Sequence, residues 1–235
     1  MASRYFETLG KTPSALSWRS VKLARAFLSG WVVAGPIYIV VALIQAITRP
    51  GFELTRHSIS LLSNGDLGWI QITNFVLTGL LVVAGAVGTH WAIRSGQGRI
   101  WGPLLVAIYG LGLIGAGVFV ADPLNGFPPG TPADANAMSN SGMLHFMIGG
   151  VGFLALIAAC FVFARRFAGL AQPGWARYSI ATGVIFLLAF MGIASGSGHA
   201  LTVIGFWIGV IFAWTWLALM GMRLRTGLAE VGRAR

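Results

Sequence analysis

Residues 100–145 read IWGPLLVAIYGLGLIGAGVFVADPLNGFPPGTPADANAMSNSGMLH, and this stretch decides the fold class. Positions 100 to 121 carry no charged side chain and match the ~20 apolar residues that one helical crossing of a bilayer needs. The run stops at Asp122-Pro123, a polar loop follows, and a new apolar run opens around His145. Ionisable groups therefore sit where a membrane helix meets its loop, in a chain with few charges elsewhere.

The pattern recurs outward from this stretch. Apolar segments are read at residues 24–47, 69–93, 100–121, 143–164, 178–196 and 200–222. The chain of 235 residues is 56% hydrophobic and 9% charged, with a mean hydropathy of +0.79. A soluble domain carries roughly 25% charged residues, so the expectation is an all-α, six-helix transmembrane bundle whose surface faces lipid. The first run is too long for a signal-peptide core and five more follow, so it reads as an uncleaved span.

A net charge of +10 invites a nucleic-acid reading, but the placement of the charges opposes it. Arg4, Lys11, Arg19, Lys22 and Arg25 precede or open the first span. Arg94 and Arg99 flank the second connection, and Arg165, Arg166 and Arg177 the fourth. Arg223, Arg225, Arg233 and Arg235 close the chain, leaving only Arg49 and Arg56 in the other connections. Lys and Arg stay on the cytoplasmic side. The N-terminus and C-terminus are accordingly placed in the cytoplasm, and nucleic acid is excluded as a partner. The organisation follows: 1–23 a cytoplasmic polar or interfacial segment, 24–222 the six-span domain, and 223–235 a basic cytoplasmic tail.

Two motifs reduce to packing. Gly110-Leu111-Gly112-Leu113-Ile114-Gly115 spells GxGxxG, but within a span it cannot open a helix after a strand as a dinucleotide site requires. Its glycines, like Gly149, Gly150 and Gly152, let helices approach closely. Cys160 stands alone, so no intrachain disulfide forms. Trp31, Trp69, Trp91, Trp101, Trp175 and Trp207 are placed near span ends, as an aromatic belt, with Trp214 and Trp216 deeper. Gln71, Thr73, Asn74 and Thr78 form a polar stripe extending from Asp66 into the second span and suited to bonding across helices.

The odd connections gather the chemistry. In TRHSISLLSNGD, a helix would put His57, Ser60 and Asn64 on one face at i, i+3 and i+7, with Asn64-Gly65 ending it as a turn. Asp122 stands at the negative pole of the third helix and is expected to face water, an Arg, a His or a cation. His145 opens the fourth helix, where the dipole favours a neutral ring able to act as a base or metal ligand. His199 follows the break Ser195-Gly196-Ser197-Gly198. His90, near the other membrane face, reads as structural or interfacial.

The expected site is therefore a polar pocket at the extracytoplasmic face, lined by His57, Ser60, Asn64, Asp66, Asp122, His145 and His199, with Asp122 paired to His145 or a cation. Such a pocket would bind or transport a lipid, a small molecule or an ion. In an alternative reading His57, Asp122, His145 and His199 hold a zinc-like divalent cation whose bound water hydrolyses a lipid ester or amide. A metal-free hydrolase would use Ser60 or Ser197 with a histidine, the catalytic candidates being His145, Asp122, His57 and Ser60. The third reading is a structural or interaction role. Membrane lipids are the expected partners, and the oligomeric state is left open.

RPGFELTRHSISLLSNGDLGWIQITNF (49–75), FVADPLNGFPPGTP (119–132) and LHFMIGGVGFLALIAAC (144–160) resemble the domain of unknown function 998 family. The resemblance implies a bacterial multi-span protein of the plasma (inner) membrane, and carries no established activity. His57, Ser60, Asp66, Asp122 and His145 match its pattern. Related proteins often place a His just before the Gly of the third connection, where this chain has Ser141 before Gly142, and that departure weighs against a full set of histidine ligands.

Overall fold

The computed structural model describes residues 18–135, 137–196 and 198–233. Among them six α-helices are long and apolar enough to cross a membrane. They are α1 (Trp18–Thr48), α2 (Gly68–Ala92), α3 (Trp101–Val118), α4 (Asn140–Gly169), α5 (Pro173–Ala194) and α6 (Ala200–Arg233), with a 3-10 helix, Ile59–Ser63, in the first connection. A hydrocarbon core offers no water to backbone N–H and C=O groups, so apolar runs of this length close those groups within helices. The all-α six-span architecture is the one expected.

The helix ends differ from the hydropathy boundaries. Helix α1 already begins at Trp18, α4 runs on to Gly169, and α6 continues to Arg233 through the stretch expected to be a tail. Hydropathy marks where a helix leaves lipid, whereas a nucleated helix propagates cheaply into water through good helix formers. Beyond the last span Arg223 donates to Gln172 Oε1 and lies 4.9 Å over the Trp175 ring and 5.5 Å over Phe167. Most of the polar N-terminal segment, residues 1–17, lies outside the described residues.

Each helix packs against its neighbours in the chain, and α1 closes the ring on α6. Neighbours run antiparallel: Gly30 lies against Leu81 while Gly88 lies against Ala24, and Gly35 meets Trp214 while Gly221 meets Trp31. Small residues set the spacing. A Cβ on Gly110 would come 2.8 Å from the Gly79 carbonyl oxygen on α2, and one on Gly112 would come 2.8 Å from the Gly152 Cα on α4. The GxGxxG run thus joins α3 to two helices.

The bundle interior is filled by aromatic groups rather than bordered by them. Trp31 is fully buried, not in the belt, and donates through Nε1–H to the Val82 carbonyl at 2.9 Å. Trp207 is buried as well, whereas Trp69 and Trp101 are 62% and 63% exposed, as belt residues should be. The reason is position: α1 starts so early that Trp31 falls in its middle. Trp214 and Trp216 are buried as expected, and Trp216 Nε1–H bonds Ser179 Oγ at 3.0 Å.

The polar stripe of α2 does bond across helices. Gln45 Nε2 of α1 donates to Gln71 Oε1 at 2.9 Å, and Asn74 Nδ2 donates to the Tyr38 carbonyl at 3.1 Å. Thr78 returns its hydroxyl to the Asn74 carbonyl. Thr73 and Asp66 are exposed and stand outside this buried cluster.

Candidate functional site

The first and third connections fold onto one another at one end of the ring. Their junction is built around Asn125-Gly126, with φ of 57° and 85°. Leu124 and Phe127 exchange backbone hydrogen bonds of 3.2 and 3.1 Å across these two residues. Two positive φ values in succession define the two-residue turn that Asn-Gly favours. The turn delivers the Asn125 carbonyl and the Phe127 ring to the first connection.

His57 receives them. It is 1% exposed, its Nδ1 accepts from the Glu53 N–H at 2.8 Å, and its Nε2–H donates to the Asn125 carbonyl at 3.0 Å. An N–H can only donate, so the tautomer is set and both ring nitrogens are committed. Phe52 and Phe127 pack against the ring, at 5.2 and 5.5 Å between centroids, and Trp207 Nε1–H bonds the His57 carbonyl at 3.1 Å. The expected base or metal ligand is instead a clamp between two loops and α6.

Arg49 forms a second clamp. Its Nη1 and Nη2 donate to the carbonyls of Leu62 and Asn64, both at 2.5 Å, and its guanidinium lies 4.9 Å from the centroid of Phe127. Burial pushes its pKa down, with the Asp66 charge opposing; an arginine stays charged under either influence. Asn64 therefore serves through its carbonyl and does not reach a cavity. The stretch TRHSISLLSNGD is helical only as the short 3-10 turn Ile59–Ser63, so His57, Ser60 and Asn64 do not share a face. Asn64-Gly65 does turn the chain, Gly65 having φ +72°.

Next to these loops the helices line a partly open cavity of about 270 Å³. Along α4 its wall is Gly142, His145, Phe146, Gly149, Gly150 and Phe153, spaced as one face of a helix. Phe75, Leu113, Phe190, Ile193 and Phe206 line it from the other helices, while Arg56, Ser58, Ser60, Asp122 and Asn125 line it from the loops. Gly149 was expected to pack a helix. A Cβ there would meet nothing within 4 Å, so it opens onto the cavity instead.

Asp122 is placed by the N-terminus of α4. Helix α3 ends at Val118, with Phe119 extended, so the chain travels on before reaching Asp122. The carboxylate then accepts from Ser139 N–H at 2.8 Å and Ser139 Oγ–H at 2.6 Å, and Ser139 Oγ accepts from Gly142 N–H at 3.0 Å. Its partner is the positive end of the following helix, not the negative end of the preceding one.

His145 makes the complementary contact. Its Nδ1 lies 3.0 Å from the Ala116 carbonyl and 2.8 Å from the Phe119 carbonyl, both at the unsatisfied end of α3. Nδ1 must carry the proton, so Nε2 is the nitrogen left to the cavity. The expected Asp122–His145 pair is not formed as a hydrogen bond, because each group closes the end of a different helix.

The cavity thus gathers Ser60, Asp122 and His145 from the expected set and leaves His57, Asn64, Asp66 and His199 elsewhere. His199 is exposed at the start of α6, with Gly196 and Gly198 lining the cavity in its stead. Ser197 lies outside the described residues. Among the described residues no three of His, Cys, Asp and Glu come together as a metal cluster. The four proposed ligands are dispersed because His57 is spent on loop backbones and His199 stays on the surface. Ser60 Oγ meets Ser58 Oγ at 3.1 Å. Arg56, Tyr38 and Tyr109 line the cavity without having been singled out; tyrosines in otherwise apolar spans were the available signal. His90 is exposed.

Comparison with curated proteins and with solved structures finds no match. A family model described as protein of unknown function (DUF998) matches residues 32–223, from the first span into the last, and the chain belongs to that family.

Proposed function

We propose that the protein binds a small amphiphile or single-chain lipid in the cavity, with the apolar chain among the helices and the polar end at the loops. The cavity itself is the observation that carries this. Its volume of about 270 Å³ lies just under the ~300–1,000 Å³ of small-molecule sites, which likewise combine apolar walls with a few placed polar groups. Phe75, Leu113, Phe153, Phe190 and Phe206 suit a hydrocarbon chain, and Arg56, Ser58, Ser60, Asp122 and Asn125 suit a head group.

Binding is favoured over a continuous path for ions. Tyr38 and Tyr109, two of the lining residues, pack on Trp214 at 4.9 and 5.6 Å, and Trp31, Trp214, Trp216 and Met220 fill the bundle beyond. Hydrolysis has less support, since Ser60 faces another serine and His57 has no free nitrogen. We also place both termini in the cytoplasm of a bacterial cell, with the cavity toward the outer face of the plasma membrane. That orientation is supported by the basic residues: among the described residues all Lys and Arg but Arg49 and Arg56 fall at the end of the bundle where α1 starts and α6 stops.

Native mass spectrometry of gently purified protein tests the proposal. The wild type should carry a bound amphiphile, and Gly149→Leu, which projects a side chain into the cavity, should lose it. The same adducts on both proteins would rule the cavity out as the binding site.

A further inference from the structure

The cavity reading leaves open which head group is recognised, and the polar groups lining the cavity narrow that choice. His145 commits Nδ1–H to the carbonyls of Ala116 and Phe119, at 3.0 and 2.8 Å. Nδ1 and Nε2 lie on different edges of the ring, so the edge lining the cavity presents Nε2, which in the neutral imidazole is an acceptor only.

The groups around it are also mainly acceptors. Asp122 lines the same cavity, and its carboxylate takes hydrogen bonds from Ser139 alone, once through the backbone and once through the hydroxyl. Each carboxylate oxygen has capacity for another donor. The hydroxyls of Ser58 and Ser60, engaged with one another at 3.1 Å, can accept or donate. Among the described residues Arg56 is the one cation lining the cavity; it is exposed, so water screens its charge.

Resting on the cavity reading above, we infer that the polar side of the cavity selects an amphiphile whose head donates hydrogen bonds and bears no negative charge, an alcohol or a primary amine, with His145 Nε2 as its acceptor. A carboxylate or phosphate head would bring lone pairs against the His145 lone pair and a charge against Asp122. An alcohol or ammonium donates a hydrogen bond to Nε2. The ammonium gains the attraction of the Asp122 charge, which lines the same cavity, in addition.

Four probes of matched chain length separate these cases: dodecan-1-ol, dodecylamine, dodecanoate and dodecyl phosphate, titrated by thermal shift on the full-length protein in detergent. Three proteins are compared: the wild type, His145→Asn and Gly149→Leu. Asparagine places its amide N–H near the position of Nδ1, so the bond to the end of α3 survives while Nε2 is removed. Alcohol and amine should half-saturate the wild type at concentrations at least about ten-fold lower than the two anions. His145→Asn should unfold at close to the wild-type temperature yet lose that preference, and Gly149→Leu should lose the response to all four probes. Anions binding as well as the alcohol and amine, or a preference that persists in His145→Asn, would overturn the inference while leaving the cavity intact as a site. Responses to every probe that are identical in wild type and Gly149→Leu would instead overturn the cavity reading, and the inference with it.

Discussion

Asp122 and Gly142 show how little space a single residue leaves at this site. A Cβ on Gly142 would stand 1.9 Å from Asp122 Oδ2, so Gly142→Ala must displace the carboxylate that holds Ser139. The expected cost is about 1–3 kcal/mol, as for other overpacked positions, read as a lowered unfolding temperature in detergent. An unchanged temperature would mean that the contact yields freely. His57 offers a complementary case: His57→Phe keeps an aromatic body between Phe52 and Phe127 but orphans the Glu53 N–H and the Asn125 carbonyl. Both bonds are part-buried, so water can take up some of the loss and the cost falls toward the low end of the about 1–3 kcal/mol that a buried unpaired group carries. Protease cleavage in residues 122–130 should therefore quicken in that variant, and equal cleavage rates would refute the clamp.

At the scale of the element, α4 carries two kinds of glycine a single turn apart. Gly152 lies with its Cα against α3, where a Cβ would come 3.1 Å from the Gly112 Cα, whereas Gly149 faces open space. Identical substitutions should thus diverge. Gly149→Leu should leave the unfolding temperature near that of the wild type and remove ligand binding, while Gly152→Leu should force α3 and α4 apart and lower stability by about 1–3 kcal/mol or more. Equal losses of stability in both would show that the cavity face of α4 is packed after all. The opposition of these two residues was not legible from their spacing, because both are small residues in one apolar run, and only the position of α3 tells them apart.

For the whole molecule, the closed ring of six antiparallel helices puts the odd connections together at one end and the start of α1 and the end of α6 at the other. On the proposed orientation, Asp134→Cys should react with a membrane-impermeant maleimide in intact cells, and Gln97→Cys only after permeabilisation. The native Cys160 is buried and should stay silent. Reversed labelling would turn the cavity toward the cytoplasm. The ring also explains why a cavity exists at all: helices joined in a circle leave a central space, which large side chains such as Trp31, Trp214 and Trp216 fill over part of its depth.

Class and span number follow from the sequence by itself, because transfer of each side chain between lipid and water is a local quantity that sums along a run. Asp122 and His145 were legible for the same reason, being polar residues at the edges of apolar runs, and Ser60 as part of the polar connection between two of them. Their roles were not. Whether Asp122 answers the helix before it or the one after it depends on where α3 stops, which hydropathy does not mark. Whether His57 is a ligand or a clamp depends on a carbonyl 68 positions along the chain. Only the tertiary structure brings such groups within hydrogen-bond reach, and a hydrogen bond acts over about 3 Å, a distance that no spacing along the chain encodes.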